Sequence, residues 1–164
     1  MAEADCNLPE IYLRPGDLVL VREPTILATI LGSCIGVTFW CARLGIGALC
    51  HSMLPKCPPQ TAGEISPSLG HRYVDFCIRS LASQFEVLGA ARSEVQVKVF
   101  GGADVIFVDR GNAHQTVGRQ NSEAAIRGLA DEGYAIIAAS VGSKFGRKIR
   151  FNTGNGEVQL VWLI

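Results

Sequence analysis

Residues 34–51 have the pattern of a β-hairpin, and we expect this hairpin at the centre of the fold. The first run, residues 34–40 (CIGVTFW), is rich in β-branched and aromatic side chains, which favour strands. Gly45 lies in the turn that follows, where a residue able to adopt positive φ is favoured. Residues 46–51 (IGALCH) then return as the second strand. The spacing therefore predicts two antiparallel strands with a cysteine and a histidine near their open end.

The pairing register decides whether Cys34 and His51 can act together. If the turn centres on Ala42 and Arg43, the two residues face each other with Cβ atoms about 4.5–5.5 Å apart. If Gly45 forms a bulge, the register moves by two and they become diagonal neighbours on the same face; only an odd shift separates them. An imidazole beside a thiol can take its proton, the minimum for thiol nucleophilic catalysis. The alternative is a small buried Cys34 and a structural His51, since free cysteines are among the most buried residues.

Composition limits the classes of protein to which the chain can belong. Its 164 residues are 48% hydrophobic and 18% charged, as expected for one globular domain. Fifteen basic and fifteen acidic residues leave no net charge, which argues against a general nucleic-acid-binding protein. The first residues lack the pattern of a signal peptide, and no apolar run is long enough to span a membrane.

The six cysteines contain no C-x-x-C pair, so we expect a cytoplasmic protein with reduced thiols. A zinc site formed by Cys50, His51 and Cys57 is conceivable, but the spacing matches no familiar zinc motif. We therefore expect neither a metal nor a cofactor.

The remaining patterns predict an α+β fold, with two main helices packed on mixed or antiparallel sheet layers. Residues 68–88 have helical periodicity, and a second helix is expected over about 122–132 with Asn121 or Ser122 as its N-cap. We expect residues 1–10 to be a flexible leader and residues 11–164 to be a single domain. Further strands are predicted at residues 18–21, 25–30, 95–99, 134–141, 148–151 and 158–163.

Four short motifs occur along the chain: LGSC (31–34), HSMLP (51–55), KVFGGA (98–103) and VGRQN (117–121). Together, and in this order, they resemble the CheD family of bacterial chemoreceptor glutamine deamidases. The interval between the cysteine and the histidine also matches. The resemblance covers about residues 12–163 and implies a fold similar to that of the cytotoxic-necrotizing-factor deamidases.

The resemblance also implies the residues of the site. Cys34 would be the nucleophile and His51 the base, and Thr29, on the strand before the cysteine, would orient the imidazole. Five further residues would contact the substrate or supply donors to it: Gly32, Ser33, Gly101, Gly102 and Arg119. For the last three, a structural role in a turn or at a helix end is the alternative. No metal ligand is implied.

The implied activity is hydrolysis of a protein glutamine side chain to glutamate and ammonia, through a thioester on the cysteine. The implied substrates are methyl-accepting chemotaxis receptors. A different role, as an adaptor that binds a CheC phosphatase or the receptors with little turnover, stays open. Four basic residues at 144–150 favour a solvated strand edge or, alternatively, a docking patch for an acidic receptor helix: Lys144, Arg147, Lys148 and Arg150.

Overall fold

The computed structural model describes residues 5–59, 65–104 and 116–164. Nine strands and three helices occur in these residues, together with a short 3₁₀ turn at Arg92–Glu94. The strands are β1 Glu10–Tyr12, β2 Leu18–Val21, β3 Ile26–Leu31, β4 Ile35–Cys41, β5 Ile46–Ser52, β6 Gln96–Gly101, β7 Ile136–Val141, β8 Gly146–Asn152 and β9 Val158–Leu163. The helices are α1 Pro67–Gly70, α2 Val74–Val87 and α3 Val117–Asp131.

The strands form two mixed sheets with different roles. A four-stranded sheet has the order β1-β3-β8-β9, and a five-stranded sheet has the order β2-β5-β4-β6-β7. Strands β1 and β3 are parallel, as are β6 and β7, while the other neighbours are antiparallel. The structure thus confirms the predicted α+β class.

Alternation along the central strands creates two separate cores. Ile35, Val37 and Phe39 of β4 point to one face of the five-stranded sheet, where they pack with α2 and α3. Leu49 of β5 points to the opposite face, where it packs with Leu27 of β3 and Ile149 of β8. The molecule therefore has three layers: helices, the five-stranded sheet and the four-stranded sheet.

The hairpin has the second of the two registers that the sequence left open, and it reaches this register through a turn at residues 42–45 without the predicted bulge at Gly45. Gly45 has a φ of 64°, and Gly36 rather than Cys34 is the residue opposite His51. Because this register differs by two from the symmetric one, Cys34 stays on the face of His51 as its diagonal neighbour. The predicted shift of the register by two is therefore confirmed, and the predicted bulge is not.

Two helix predictions differ from the structure. The first predicted helix is interrupted at residues 71–73, which separate α1 from α2. The second begins at Val117, so the prediction of Asn121 or Ser122 as its N-cap is wrong. Thr116 is the N-cap, because its hydroxyl oxygen accepts a hydrogen bond from the Arg119 N–H at 3.2 Å.

The leader over residues 1–10 and the domain over 11–164 stay predictions. Within the described part of that leader, the Asp5 carboxylate accepts a hydrogen bond from the Asn152 amide at 2.6 Å, and Glu10 opens β1.

Candidate active site

Thr29 and His51 meet between the two sheets. Thr29 lies on the inner face of β3, and His51 lies on the facing side of β5; both side chains are buried. Thr29 Oγ1 is 2.7 Å from His51 Nδ1, which is a hydrogen-bond distance. The sandwich of the two sheets thus brings together a hydroxyl and an imidazole that are 22 residues apart in the chain.

The Leu13 carbonyl determines the direction of this hydrogen bond. Thr29 Oγ1 donates to the Leu13 carbonyl oxygen at 2.9 Å. A hydroxyl has one proton to donate, so the same oxygen must accept from His51, which places a proton on Nδ1. The neutral imidazole then has its lone pair on Nε2, the nitrogen that can act as a base.

Backbone hydrogen bonds fix both ends of this relay. Leu13 is buried, and its N–H donates to the Ala28 carbonyl at 2.8 Å, which holds this residue beside β3, where its own carbonyl accepts from Thr29. The His51 N–H donates to the Asp17 carbonyl at 2.9 Å, and the His51 carbonyl accepts from the Gly16 N–H at 2.7 Å. The imidazole is therefore held at the backbone as well as at Nδ1.

Burial keeps the imidazole neutral in the resting protein. It lowers the pKa of His51 to about 4, and the opposing effect of the Asp17 carboxylate is smaller. Burial also raises the pKa of the Cys34 thiol, with its own backbone N–H acting in the opposite direction. At neutral pH the pair is therefore a neutral thiol and a neutral imidazole, and a thiolate can form only when the thiol proton moves away.

Cys34 lies in the turn that joins the two sheets. The cysteine turn (residues 32–34) connects β3 of the four-stranded sheet to β4 of the five-stranded sheet. Cys34 is half-buried and packs against the core between the sheets. This position places the thiol at the open end of the same interlayer space that holds Thr29 and His51.

Each carbonyl of the cysteine turn accepts a hydrogen bond from another part of the chain. The Gly32 carbonyl accepts from the Ala103 N–H at 2.9 Å, and the Cys34 carbonyl accepts from the Gly102 N–H at 2.8 Å. The Ser33 carbonyl accepts from the Asn121 side-chain amide at 2.9 Å. Within the described residues, the N–H groups of Ser33 and Cys34 donate no hydrogen bond to another residue.

The glycine pair of the KVFGGA motif, Gly101 and Gly102, contacts this turn directly. Gly101 and Gly102 have φ angles of 107° and 65°, in the region that favours glycine. A Cβ on Gly101 would lie 2.1 Å from the Cys34 carbonyl oxygen, and one on Gly102 would lie 2.0 Å from Ser122 Oγ. Both glycines are thus buried against the turn, and a direct contact with substrate remains a prediction.

Arg119 lies apart from this buried cluster. It is in the first turn of α3, is exposed, and forms an ion pair with Glu123 at 3.5 Å. Its predicted contact with substrate also remains a prediction. Gly32 and Ser33 are half-buried in the cysteine turn, next to the thiol.

Sequence reasoning missed two residues of the site. Leu13 acts through its carbonyl, which no side-chain pattern can reveal. Asn121 was interpreted as a helix cap, although its position in the VGRQN motif was a signal that it has another role. Its amide nitrogen donates to the Ser33 carbonyl and also to the Met53 carbonyl at 3.0 Å.

Cys50 and His51 point in opposite directions. Cys50 faces the helices and belongs to their core, whereas His51 faces the space between the two sheets. The two side chains therefore do not converge on one point, as the conceivable zinc site with Cys57 would require.

Arg147 does not belong to a surface patch, because it is fully buried. Its guanidinium donates to the carbonyls of Ser140 and Gly142 and lies 4.5 Å from the centre of the Trp162 ring.

Comparison with known proteins identifies relatives over nearly the whole chain. The profile of the CheD family, described as CheD chemotactic sensory transduction, matches residues 53–161. A probable chemoreceptor glutamine deamidase, CheD 2 of Geobacter sulfurreducens, is 37% identical over 94% of this chain and 90% of its own length. A probable chemoreceptor glutamine deamidase CheD from Thermococcus kodakarensis is 32% identical over 92% of this chain and 91% of its own length. The profile match begins after His51, but both relatives also cover most of the earlier part of the chain.

The fold is also similar to that of a solved structure. The Bacillus licheniformis protein YfiH matches with a TM-score of 0.51 and 11% identity, over 78% of this chain and 51% of its own. At that identity the match concerns the fold alone. None of the helices in the described residues is long and apolar enough to cross a membrane.

Proposed function

Because the chain belongs to the CheD family, we propose that it hydrolyses glutamine side chains of methyl-accepting chemotaxis receptors to glutamate and ammonia. The relatives carry the name chemoreceptor glutamine deamidase, and this chain has a thiol, a base and an orienting hydroxyl at one end of its sandwich. We infer that it acts in the cytoplasm, on the part of the receptors that lies there. This proposal needs no cofactor.

In the first half of the reaction, the Cys34 thiol attacks the carboxamide carbon of the substrate glutamine. His51 Nε2 accepts the thiol proton as the C–S bond forms and returns it to the amide nitrogen, which leaves as ammonia. The product of this half is a thioester between Cys34 and the receptor side chain. The raised pKa of the Cys34 thiol means that this proton transfer accompanies the attack.

In the second half, water attacks the thioester carbonyl. His51 Nε2 accepts a proton from the water as the new C–O bond forms. The C–S bond then breaks to give glutamate, and Nε2 passes the proton to the departing Cys34 sulfur, which regenerates the thiol. The N–H groups of Ser33 and Cys34 are our candidates for the donors that stabilise the oxyanion in both halves, since no other residue among those described accepts from them. Removal of one such donor typically costs about 3–4 kcal/mol of transition-state stabilisation.

The observation that carries this proposal is the relay from the Leu13 carbonyl through Thr29 to His51. A structural histidine needs only a partner for its polar atoms. Here the partner's own proton is fixed by a backbone carbonyl, which commits the imidazole to the tautomer with a basic Nε2. That tautomer is the one that a neighbouring thiol requires.

The test is mass spectrometry of chemoreceptor cytoplasmic fragments after incubation with the wild-type protein or with Cys34→Ala. We expect specific glutamines to gain the mass difference between an amide and an acid, and we expect none to do so with C34A. Cys6 offers a matched control, because it is an exposed cysteine far along the chain from the site, and C6A should retain the activity.

A folded wild-type protein that modifies no receptor fragment would refute the proposed activity. Binding to the receptors or to a CheC phosphatase without turnover would then be the remaining role, and pull-down with each purified partner would distinguish the two.

A further inference from the structure

We propose that Asn121 is a positioning residue, whose side-chain amide sets the distance between the Cys34 thiol and the His51 imidazole. The amide nitrogen donates to two carbonyls, that of Ser33 at 2.9 Å and that of Met53 at 3.0 Å. Ser33 is the residue before Cys34, and Met53 follows His51 by two positions. One side chain thus connects the two segments that carry the proposed catalytic groups.

Both connected segments lie outside regular strands. The cysteine turn lies between β3 and β4, and Met53 comes after the last residue of β5. Cross-strand hydrogen bonds of the five-stranded sheet therefore do not hold either carbonyl. Asn121 is the side chain that spans this gap, and we call the pair of hydrogen bonds the Asn121 bridge.

The chemistry of the bridge requires a primary amide. Two carbonyl acceptors need two N–H donors at one point, and the NH₂ group of asparagine supplies them without charge. If the amide were rotated by 180°, Asn121 Oδ1 would face the carbonyl oxygens of Ser33 and Met53, and three acceptors would lie together without a donor. Asn121 is fully buried, and its Oδ1 has no hydrogen-bond partner among the described residues, so the side chain retains this position although one of its own polar atoms is unsatisfied.

The helix that carries Asn121 packs on Gly102 and Ala103, the two residues whose N–H groups bond to the cysteine turn. A Cβ on Gly118 would lie 2.5 Å from the Ala103 carbonyl oxygen and 2.7 Å from that of Gly102, so α3 packs directly on this segment. Gly102 and Ala103 in turn donate to the carbonyls of Cys34 and Gly32. The bridge therefore starts from a rigid base, as a positioning residue must.

The inference rests on the proposed function for its meaning, but a distance measurement can test it without enzyme turnover. The bifunctional reagent 1,3-dibromoacetone alkylates a thiol and then joins it to an adjacent imidazole, and peptide mass spectrometry quantifies the joined product. In the wild type we expect Cys34 to be joined to His51. In Asn121→Ala we expect Cys34 still to be alkylated, with the yield of the joined product reduced at least 5-fold.

Asn152→Ala is the matched control. Asn152 is also a buried asparagine whose side chain makes two hydrogen bonds, to Asp5 and to Gly154. It is the last residue of β8, at the end of that strand away from the cysteine turn. N152A should give the wild-type yield. If N121A does not fold, Asn121→Leu keeps the side-chain volume while removing both donors, and the same reduced yield is expected. A wild-type yield in the folded N121A or N121L variant, or no joined product in the wild type, would overturn the inference.

Kinetics give a second, independent readout. If the receptor fragments are deamidated, N121A should lower kcat about 10- to 100-fold with little change in KM, because a small misplacement of reacting groups slows the chemical step. Combining N121A with His51→Ala should add no further loss, since the bridge acts through that residue. Loss of deamidation in every variant and in the wild type refutes the proposed function alone, while the yields of the joined product still decide the role of Asn121.

Discussion

Thr25 comes directly before β3 and Thr29 lies within it; both are buried, yet their hydroxyls have different partners. The Thr25 hydroxyl donates to the Glu23 carbonyl at 2.8 Å, and its backbone groups bond to Thr153. The Thr29 hydroxyl donates to the Leu13 carbonyl and accepts from His51. Both hydroxyls donate to a backbone carbonyl, but only the Thr29 hydroxyl also bonds to a side chain that can titrate.

This difference separates a hydrogen bond that stabilises the fold from one that prepares chemistry. At the Thr25 end, the Thr153 carbonyl also accepts from the Trp40 indole at 2.7 Å, so each polar group there has a protein partner. At the Thr29 end, the chain of hydrogen bonds reaches His51, whose Nε2 donates to and accepts from no other described residue. The free nitrogen is the point at which a substrate or the Cys34 thiol can join the network.

The sharpest test of this contrast is valine substitution at each threonine. Thr29→Val keeps the shape of the side chain but removes the acceptor for Nδ1–H, so the imidazole can adopt the wrong tautomer. We expect deamidation of receptor fragments to fall about 10³-fold, within the range for loss of general acid–base catalysis. Initial rates measured by mass spectrometry would give this number.

Thr25→Val is the matched control, at the residue directly before the same strand. It removes one hydrogen bond to a carbonyl that also accepts from the Thr153 hydroxyl at 3.4 Å, and it touches no titratable group. Its deamidation rate should lie within 2-fold of the wild type. Equal losses in the two variants would show that Thr29 has only a structural role.

The second contrast is in the pH dependence of stability. The pKa of His51 is about 4 in the folded protein, against an ordinary value of 6.5. The unfolded chain therefore binds a proton between these pH values when the folded protein does not, so stability is complete above pH 6.5 and falls as the pH drops toward 4. The loss from this group amounts to about 3 kcal/mol.

His51→Gln tests this origin, because glutamine does not titrate. Urea unfolding between pH 4 and 7 should show a smaller loss of free energy for H51Q than for the wild type. Burial also lowers the pKa of His71, which contributes with the same sign, so His71→Gln serves as the comparison. A wild-type slope in H51Q would mean that the buried imidazole is not the group responsible.

The sequence allowed the register of the hairpin, and with it the shared face of Cys34 and His51, to be predicted because strand alternation and register are local rules. The hairpin pattern left two registers open, and both kept the residues on one face. Leu13, in contrast, acts through a backbone carbonyl that reaches Thr29 only once β1 and β3 have paired. No side-chain pattern carries that information.

Arg147 shows the opposite kind of error. Four basic residues in a short window suggested a surface, but alternation along β8 turns Arg147 inward and leaves Lys148 half-exposed. Its burial is tolerated because carbonyls at the end of β7 accept from its guanidinium. The sequence could not reveal these acceptors, because they depend on how the ends of β7 and β8 approach each other.

A third prediction concerns the stability of the Thr25 end. Thr25→Val removes a buried hydrogen bond and should lower the free energy of unfolding by about 1 kcal/mol, the usual net value for one such bond. Urea unfolding at pH 7 measures this change. If T25V instead kept the wild-type free energy of unfolding and lost deamidation activity, the roles assigned to the two threonines would be wrong.

The smallest effect is expected for Thr29→Ser, and it identifies which part of Thr29 matters. Serine keeps the hydroxyl that donates to Leu13 and accepts from His51, and it loses only a methyl group between the sheets. We expect deamidation within about 3-fold of the wild type, with a modest loss of stability from the missing methyl. If T29S were as inactive as T29V, packing of the methyl group and not the hydroxyl relay would hold the imidazole in place. If T29S has near-wild-type activity and T29V is inactive, the activity depends on the hydroxyl that T29S shares with the wild type, and therefore on its two hydrogen bonds.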